Sequence, residues 1–441
     1  MTALEVFAAY GAQPGDQALQ ADVLHHAKRA VVDWYAALLP GAVEAPATLL
    51  EQAYLEDLDR GQARLALGRS ATARTAALIN GTAAHTVEVD DIFKDAIYHP
   101  GAPTIAAALA AAHEISASGL QFLKAVIVGY EISTRIGTAL GRAHYKFWHN
   151  TGTVGTFGAA AAAASLYGLS ATQFTHALAT SATFAAGLQQ AFRMDSMSKP
   201  LHSGRAAEAG LAAAQMARAG VTGSLDVLDG EAGLGHAMSN GPDWAPVLAT
   251  LGHHFNITRM TFKNHACCGH TFAAIDAAQE LQSRLQATAQ DVERIDVGTY
   301  GPALEVAGNA HPQTAAEARF SLPFVIASAL VHGSVRLAAF SAERLQDPQV
   351  RALMQRIHLH VDAEADGKFP GQRSALVHMK LRNGTKDSYL QPHRKGDPDL
   401  PLTDSDLDSK FMELVQPVLG DKPSTALRQQ LWQLETLPRM P

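Results

Sequence analysis

The stretch Lys199-Pro200-Leu201-His202-Ser203-Gly204-Arg205-Ala206-Ala207, running on to Gly220, decides how the chain is read. Small residues at Ser203, Ala206, Ala207, Gly210, Ala213, Ala214 and Ala217 recur at helical spacing, so a neighbouring helix can come close on that side. Ser198 as N-cap, Pro200 in the first turn and Gly220 as a stop predict a helix over 200–219. A helix of that composition is buried. Lys199 and His202, three residues apart at its mouth, are not explained by packing, and the unsatisfied N–H groups there favour an anion.

The same texture extends outward. Leu120 to Ala139, Thr153 to Tyr167 and Ala171 to Leu188 read as further helices, and from Asp22 to about Ala249 the pattern is helical throughout. After Arg259 it changes. Glu293 to Tyr300, Arg356 to Val361 and Ala375 to Leu381 alternate as half-buried strands, and Arg382-Asn383-Gly384 turns into Ser388-Tyr389-Leu390. Helical segments at Phe272 to Ser283 and Phe324 to Val331 lie between them. The expected fold is mainly α: a large all-helical domain over 1–260, a smaller α+β domain over 261–395, and a helical return to the first domain over 396–441.

Composition narrows the function. With 441 residues and 47% hydrophobic content, the chain can fill a large core; only 17% is charged, so much surface is expected to be covered, some of it between subunits. A net charge of −7 without a basic cluster argues against nucleic acid. The N-terminal segment lacks a basic signal region and no run of 18 apolar residues occurs, so no membrane association and a cytoplasmic location are expected. Cys267 and Cys268 are adjacent, which strains a disulfide, and packing roles are expected for both. The 20 histidines are scattered without an HExxH or CxxC spacing, so no metal or other cofactor is expected.

Chemistry concentrates in a few places. Ala84-His85-Thr86-Val87-Glu88-Val89-Asp90-Asp91 supplies carboxylates and an imidazole within one loop, and Tyr98-His99-Pro100-Gly101 leads into an alanine-rich helix. The dipole of that helix favours an anion beside His99. Phe147-Trp148-His149-Asn150 precedes another small-residue helix, and Lys263 stands at the domain junction, where clefts form. Carboxylate, imidazole and ammonium together suit proton transfer beside a carboxylate, with cations stabilising enolate-like charge.

Asn80-Gly81-Thr82-Ala83-Ala84-His85 through Asp91, His99-Pro100-Gly101, Lys199 to Ala207, Cys267-Cys268 through Ala278, Glu317 to Pro323 and Gly396-Asp397-Pro398 through Thr403, in that order, resemble the MmgE/PrpD family. The family includes 2-methylcitrate dehydratase, cis-aconitate decarboxylase and iminodisuccinate epimerase. The resemblance implies a helical domain with an α+β lid, a homodimer, and catalysis without metal. It implies that the active site draws on Glu88, Asp90, Asp91, His99, His149, Lys199 and Lys263. With His202 added from its place at the helix start, the expected roles are catalytic for His99, His149, Lys199, Asp90 and Asp91 and substrate-binding for Glu88, His202 and Lys263. Two positions depart from the pattern: Glu88 replaces the aspartate of the dehydratases and decarboxylases, and Ile92 stands where their threonine is expected. The expected function is a cofactor-independent lyase, a dehydratase or decarboxylase of a small di- or tricarboxylate. The alternatives are an epimerase or isomerase using the same carbanion, and a non-catalytic helical dimer that binds a metabolite.

Overall fold

A computed structural model describes residues 1–13, 20–192 and 196–440. The chain forms two compact units: Met1–Phe262 with Thr403–Pro441, and Lys263–Leu402. The first unit is built of helices packed through small residues. The Ser198–Arg218 helix lies against the Asn150–Leu166 and Ala73–Thr86 helices. Its contact face is Ser203, Gly204, Ala206, Ala207 and Gly210, all buried. Gly204 shows how close the approach is: a Cβ there would fall 2.1 Å from Thr82 Oγ1 and 2.2 Å from the Leu78 carbonyl oxygen. Gly204→Ala gains helix propensity, but the overpacking outweighs it, and we expect a loss of about 3 kcal/mol. Urea unfolding should show a lowered midpoint with an unchanged slope.

The helices read from sequence at Leu120, Thr153 and Ala171 are present as Gly119–Tyr145, Asn150–Leu166 and Ala171–Phe184. The last stops short of Leu188. Ala185 is extended and Gly187 has φ +134, which carries the chain out of the helix so that the Gly187 carbonyl accepts the His149 N–H at 2.9 Å. Ser198 is not the N-cap of its helix but its first residue; Met197 takes the cap position, with no side-chain cap bond. Gly220, at φ +99, does end it. The hairpin of Leu58–Arg64 with Ser70–Ala71 was not foreseen, because its strand is mostly exposed and carries no apolar alternation. The Asp404–Leu419 helix packs on the Ala21–Ala42 helix, which returns the chain to the first unit.

In the second unit, four strands lie in the order Ile357–Val361, Val292–Thr299, Ala375–Leu381, Lys386–Gln391. The first pair is parallel and the other two antiparallel. Val292, Ile295 and Val297 turn inward, as do Val377 and Met379, and the Phe272–Arg284 helix packs against the sheet. The hairpin turn is as expected, with Gly384 at φ +88. The fold is mainly α with a smaller α+β part. No helix among the described residues is long and apolar enough to cross a membrane.

Candidate active site

The Ala73–Thr86 helix ends at Val87, and the next residue, Glu88, takes a left-handed conformation at φ 61. A non-glycine residue there is strained, which is common where a loop is held for function. The turn has three effects. Glu88 faces Lys199, with which it forms an ion pair, both side chains partly exposed. Asp90 folds back onto His85, whose Nδ1 is 2.8 Å from Asp90 Oδ2. Asp91 points to the start of the Gly101–Ile115 helix.

Asp90 is the hub. The same Oδ2 lies 3.2 Å from His99 Nδ1, so two imidazoles converge on one oxygen. Burial works to raise the Asp90 carboxyl, but His99 and His85, as charges and as hydrogen-bond donors, hold it well below the usual carboxylate range. An ionised Asp90 keeps the proton of His99 on Nδ1 and leaves Nε2 to act as a base. His99 remains 15% exposed, whereas Asp90 is 1% exposed. Proton exchange with a ligand therefore falls to the histidine. The backbone N–H of His99 donates to Thr151 Oγ1 at 3.3 Å, which ties this segment to the Asn150–Leu166 helix.

His149 is the N-cap residue of that helix, and its Nδ1 is 3.0 Å from Nδ1 of His202. One of the two must donate and the other accept, so the pair does not carry a full set of protons. Burial, then the positive charges of His85 and Lys199, depress both: His149 falls well below the usual histidine range and His202 to about 4. Both imidazoles are thus neutral near pH 7. The His85 ring meets His99 edge-on and stacks on His149, with ring centres 4.8 and 5.5 Å apart.

Asp91 is placed differently from its neighbour. It is 3% exposed, accepts the Gly101 N–H at 3.0 Å through Oδ1, and has the Tyr130 hydroxyl 2.8 Å from Oδ2. A Cβ on Gly101 would come within 2.9 Å of Oδ1 and 2.8 Å of that hydroxyl, so glycine is required. Burial, with Asp33 nearby, pushes the Asp91 carboxyl up to about 8, against the pull of Tyr130. A carboxyl raised in the folded state stabilises below its unfolded value, near 4, and that stability is lost as pH rises through about 8. Asp91→Asn can keep both hydrogen bonds. It should flatten the fall in stability between those limits, a slope of up to about 1.4 kcal/mol per pH unit, as followed by denaturation across pH.

Behind the loop, Lys410 from the Asp404–Leu419 helix is fully buried. Its Nζ lies 2.5 Å from Asp33 Oδ1 and donates to the Val89 carbonyl at 2.7 Å. His85, Asp90 and His99 are also the one group among the described residues with metal-ligand spacing, their ligand atoms lying within 4.8 Å of one another. Sequence reading set these three residues in neighbouring motifs but found no ligand spacing in them. Within the group His85 Nδ1 is hydrogen-bonded to Asp90 Oδ2, while His85 Nε2 and Asp90 Oδ1 have no hydrogen-bond partner among the described residues.

Lys263 begins the second unit and is mostly buried. That unit holds a cluster missed in sequence. His270 Nδ1 is 2.8 Å from the Tyr300 hydroxyl, and the Tyr300 ring stacks on Phe369 at 4.6 Å. Arg394 is bound by both oxygens of Asp397, while Arg373 makes no ion pair among the described residues. Burial, then Arg373 and Arg394, lowers His270 to about 4; burial, then Arg394, lowers Arg373. Cys267 and Cys268 are free, and burial pushes the Cys267 thiol up to about 12, so neither serves as a ready thiolate.

Comparison with known proteins gives the family. The MmgE/PrpD N-terminal domain model matches residues 5–247 and the MmgE/PrpD C-terminal domain model residues 265–436. The cis-aconitate decarboxylase-like protein oryM of Aspergillus oryzae is 29% identical over 452 residues, spanning 96% of this chain and 92% of its own. Cis-aconitate decarboxylase of Homo sapiens is 30% identical over 352 residues, spanning 76% of this chain and 71% of its own. The Aspergillus terreus cis-aconitate decarboxylase is 26% identical over 392 residues, spanning 83% and 80%. Matched by both domain models over most of its length, the chain belongs to the MmgE/PrpD family.

Proposed function

We propose that the chain is a lyase of a small di- or tricarboxylate, with decarboxylation of a cis-aconitate-like substrate as the first reading. The observation that carries it is the Asp90-oriented His99 in the same unit as Lys199 and a neutral histidine pair. Lys199 would exchange Glu88 for a substrate carboxylate and stabilise the charge that builds as a carbon–carbon bond breaks and carbon dioxide leaves. The electron pair left on carbon would take a proton from His99, recharged from solvent through Nε2. In a dehydration the same imidazole would remove the proton from carbon, and the leaving hydroxyl would depart as water after protonation by a neighbouring acid. His202 would help hold substrate, and His149 is the second candidate for the proton. Asp91 would serve by anchoring the loop to Gly101 and Tyr130. Lys263 is proposed as a carboxylate ligand and the assembly as a homodimer; light scattering at twice the chain mass checks the latter.

The test is a panel of cis-aconitate, 2-methylcitrate and citrate in deuterated water, followed by NMR and mass spectrometry. Loss of carbon dioxide or water with deuterium entering the product supports the lyase. Deuterium entering a recovered dicarboxylate of unchanged skeleton makes the protein an epimerase instead. Turnover should survive prolonged EDTA treatment, because the residues offered to substrate are protonic and cationic groups; activity that returns only with a divalent ion defeats that expectation.

A further inference from the structure

His85 has no part in the chemistry proposed so far, yet it is the most enclosed titratable side chain of the site, with no exposed surface. Its Nδ1 is spent on Asp90, and its Nε2 meets neither solvent nor a hydrogen-bond partner among the described residues. The ring has no route to exchange protons with a ligand. It nevertheless touches each member of the site that could. It shares Asp90 Oδ2 with His99, packs its ring edge-on to His99, and lies nearly parallel to His149, at an interplanar angle of 25°.

We infer that His85 is a positioning residue: by donating to the oxygen that also orients His99, it divides the Asp90 charge between two imidazoles and so sets the proton affinity of His99. The inference deepens the reading of His99 as the proton-transfer group and rests on it for its catalytic meaning. The physical argument is direct. A carboxylate that accepts a second hydrogen bond has less charge to offer the first partner. With His85 in place, Asp90 keeps the His99 tautomer without binding its proton too tightly, which leaves Nε2 able both to take and to release a proton. Without it, Asp90 would belong to His99 alone, and the imidazolium would be stabilised.

Other titratable and charged groups of the site lie around these rings: Asp90 on the loop, His149 at the start of the Asn150–Leu166 helix, and Lys199 and His202 on the Ser198–Arg218 helix, while Glu88 is paired with Lys199 and Asp91 is turned to Gly101 and Tyr130. His85 also acts on His149 and His202, so their titrations are followed in the same spectra, and the asparagine and glutamine variants, alike in charge, isolate the shared oxygen.

The experiment follows the ring signals of His99 in the ligand-free protein by histidine-labelled NMR, assigned by their absence in His99→Asn. In His85→Leu the midpoint of the His99 titration should move up by about one pH unit. In His85→Asn, whose amide nitrogen can take the place of Nδ1 and still donate to Asp90, it should stay at the wild-type value. His85→Gln, which carries its donor at the Nε2 position, should behave like the leucine variant and replaces it if that variant does not fold. A folded leucine or glutamine variant with an unmoved midpoint overturns the inference, as does an asparagine variant that shifts. Because the titration needs no substrate, it stands or falls separately from the lyase reading. If that reading is right, the limb of the kcat profile set by His99, which is the alkaline limb for a decarboxylation in which it gives up its proton, should shift with the NMR midpoint in each variant.

Discussion

Replacing His99 with asparagine should leave a folded protein that turns over roughly 10²–10⁴ times more slowly, with substrate binding little changed. The asparagine amide can occupy the position of Nδ1 and donate to Asp90 Oδ2, which His99 faces at 3.2 Å, so the loop keeps its shape. What disappears is Nε2, the one atom of the Asp90 assembly able to carry a proton to a ligand. Deuterium exchange into bound substrate should fall in parallel with kcat. If exchange continues at the wild-type rate while turnover drops, the proton passes through another group. His149 is then the candidate, since its depressed proton affinity still allows it to act as a base.

Lys199→Met should cost at least about 10²-fold in kcat/KM while folding normally. The ammonium is a quarter exposed and its partner Glu88 about a third, so losing the pair leaves no buried charge stranded. The cost falls on the transition state, which loses a fixed cation at a helix start. The variant also carries an internal check. Burial is the main cause that depresses His202, followed by the charges of His85 and Lys199, so removing the ammonium should raise the His202 titration from about 4. A folded variant with wild-type kcat/KM defeats the role given to Lys199, whatever happens to His202.

Much of this was legible in the sequence. Helical spacing of small residues in 203–217 identified a buried helix, and period-two alternation located the strands at 292–299, 357–361 and 375–381. Of the residues singled out as catalytic or substrate-binding, the structure brings Glu88, Asp90, His99, His149, Lys199 and His202 together in the first unit. Asp91 it turns into the helix packing, and Lys263 it places in the second unit. Other features lay beyond pattern reading. His85 stood in the quoted motif, but its role depends on a left-handed turn at Glu88 that no propensity predicts for glutamate. His270, Tyr300, Arg373 and Arg394 are scattered over 124 positions and meet only once the second unit has folded. The Leu58–Arg64 hairpin lacks apolar alternation, so periodicity could not find it.

The bond from Lys410 to the Val89 carbonyl joins residues 321 positions apart, with the whole second unit made between them. At a typical elongation rate, roughly 15–60 s separate the synthesis of the acidic loop from that of its brace. For that interval the nascent first unit holds its histidines and carboxylates without the ammonium that fixes Val89 and balances Asp33. The site therefore matures last in biosynthesis, and a ribosome-bound chain should gain activity only after the Asp404–Leu419 helix has emerged and docked.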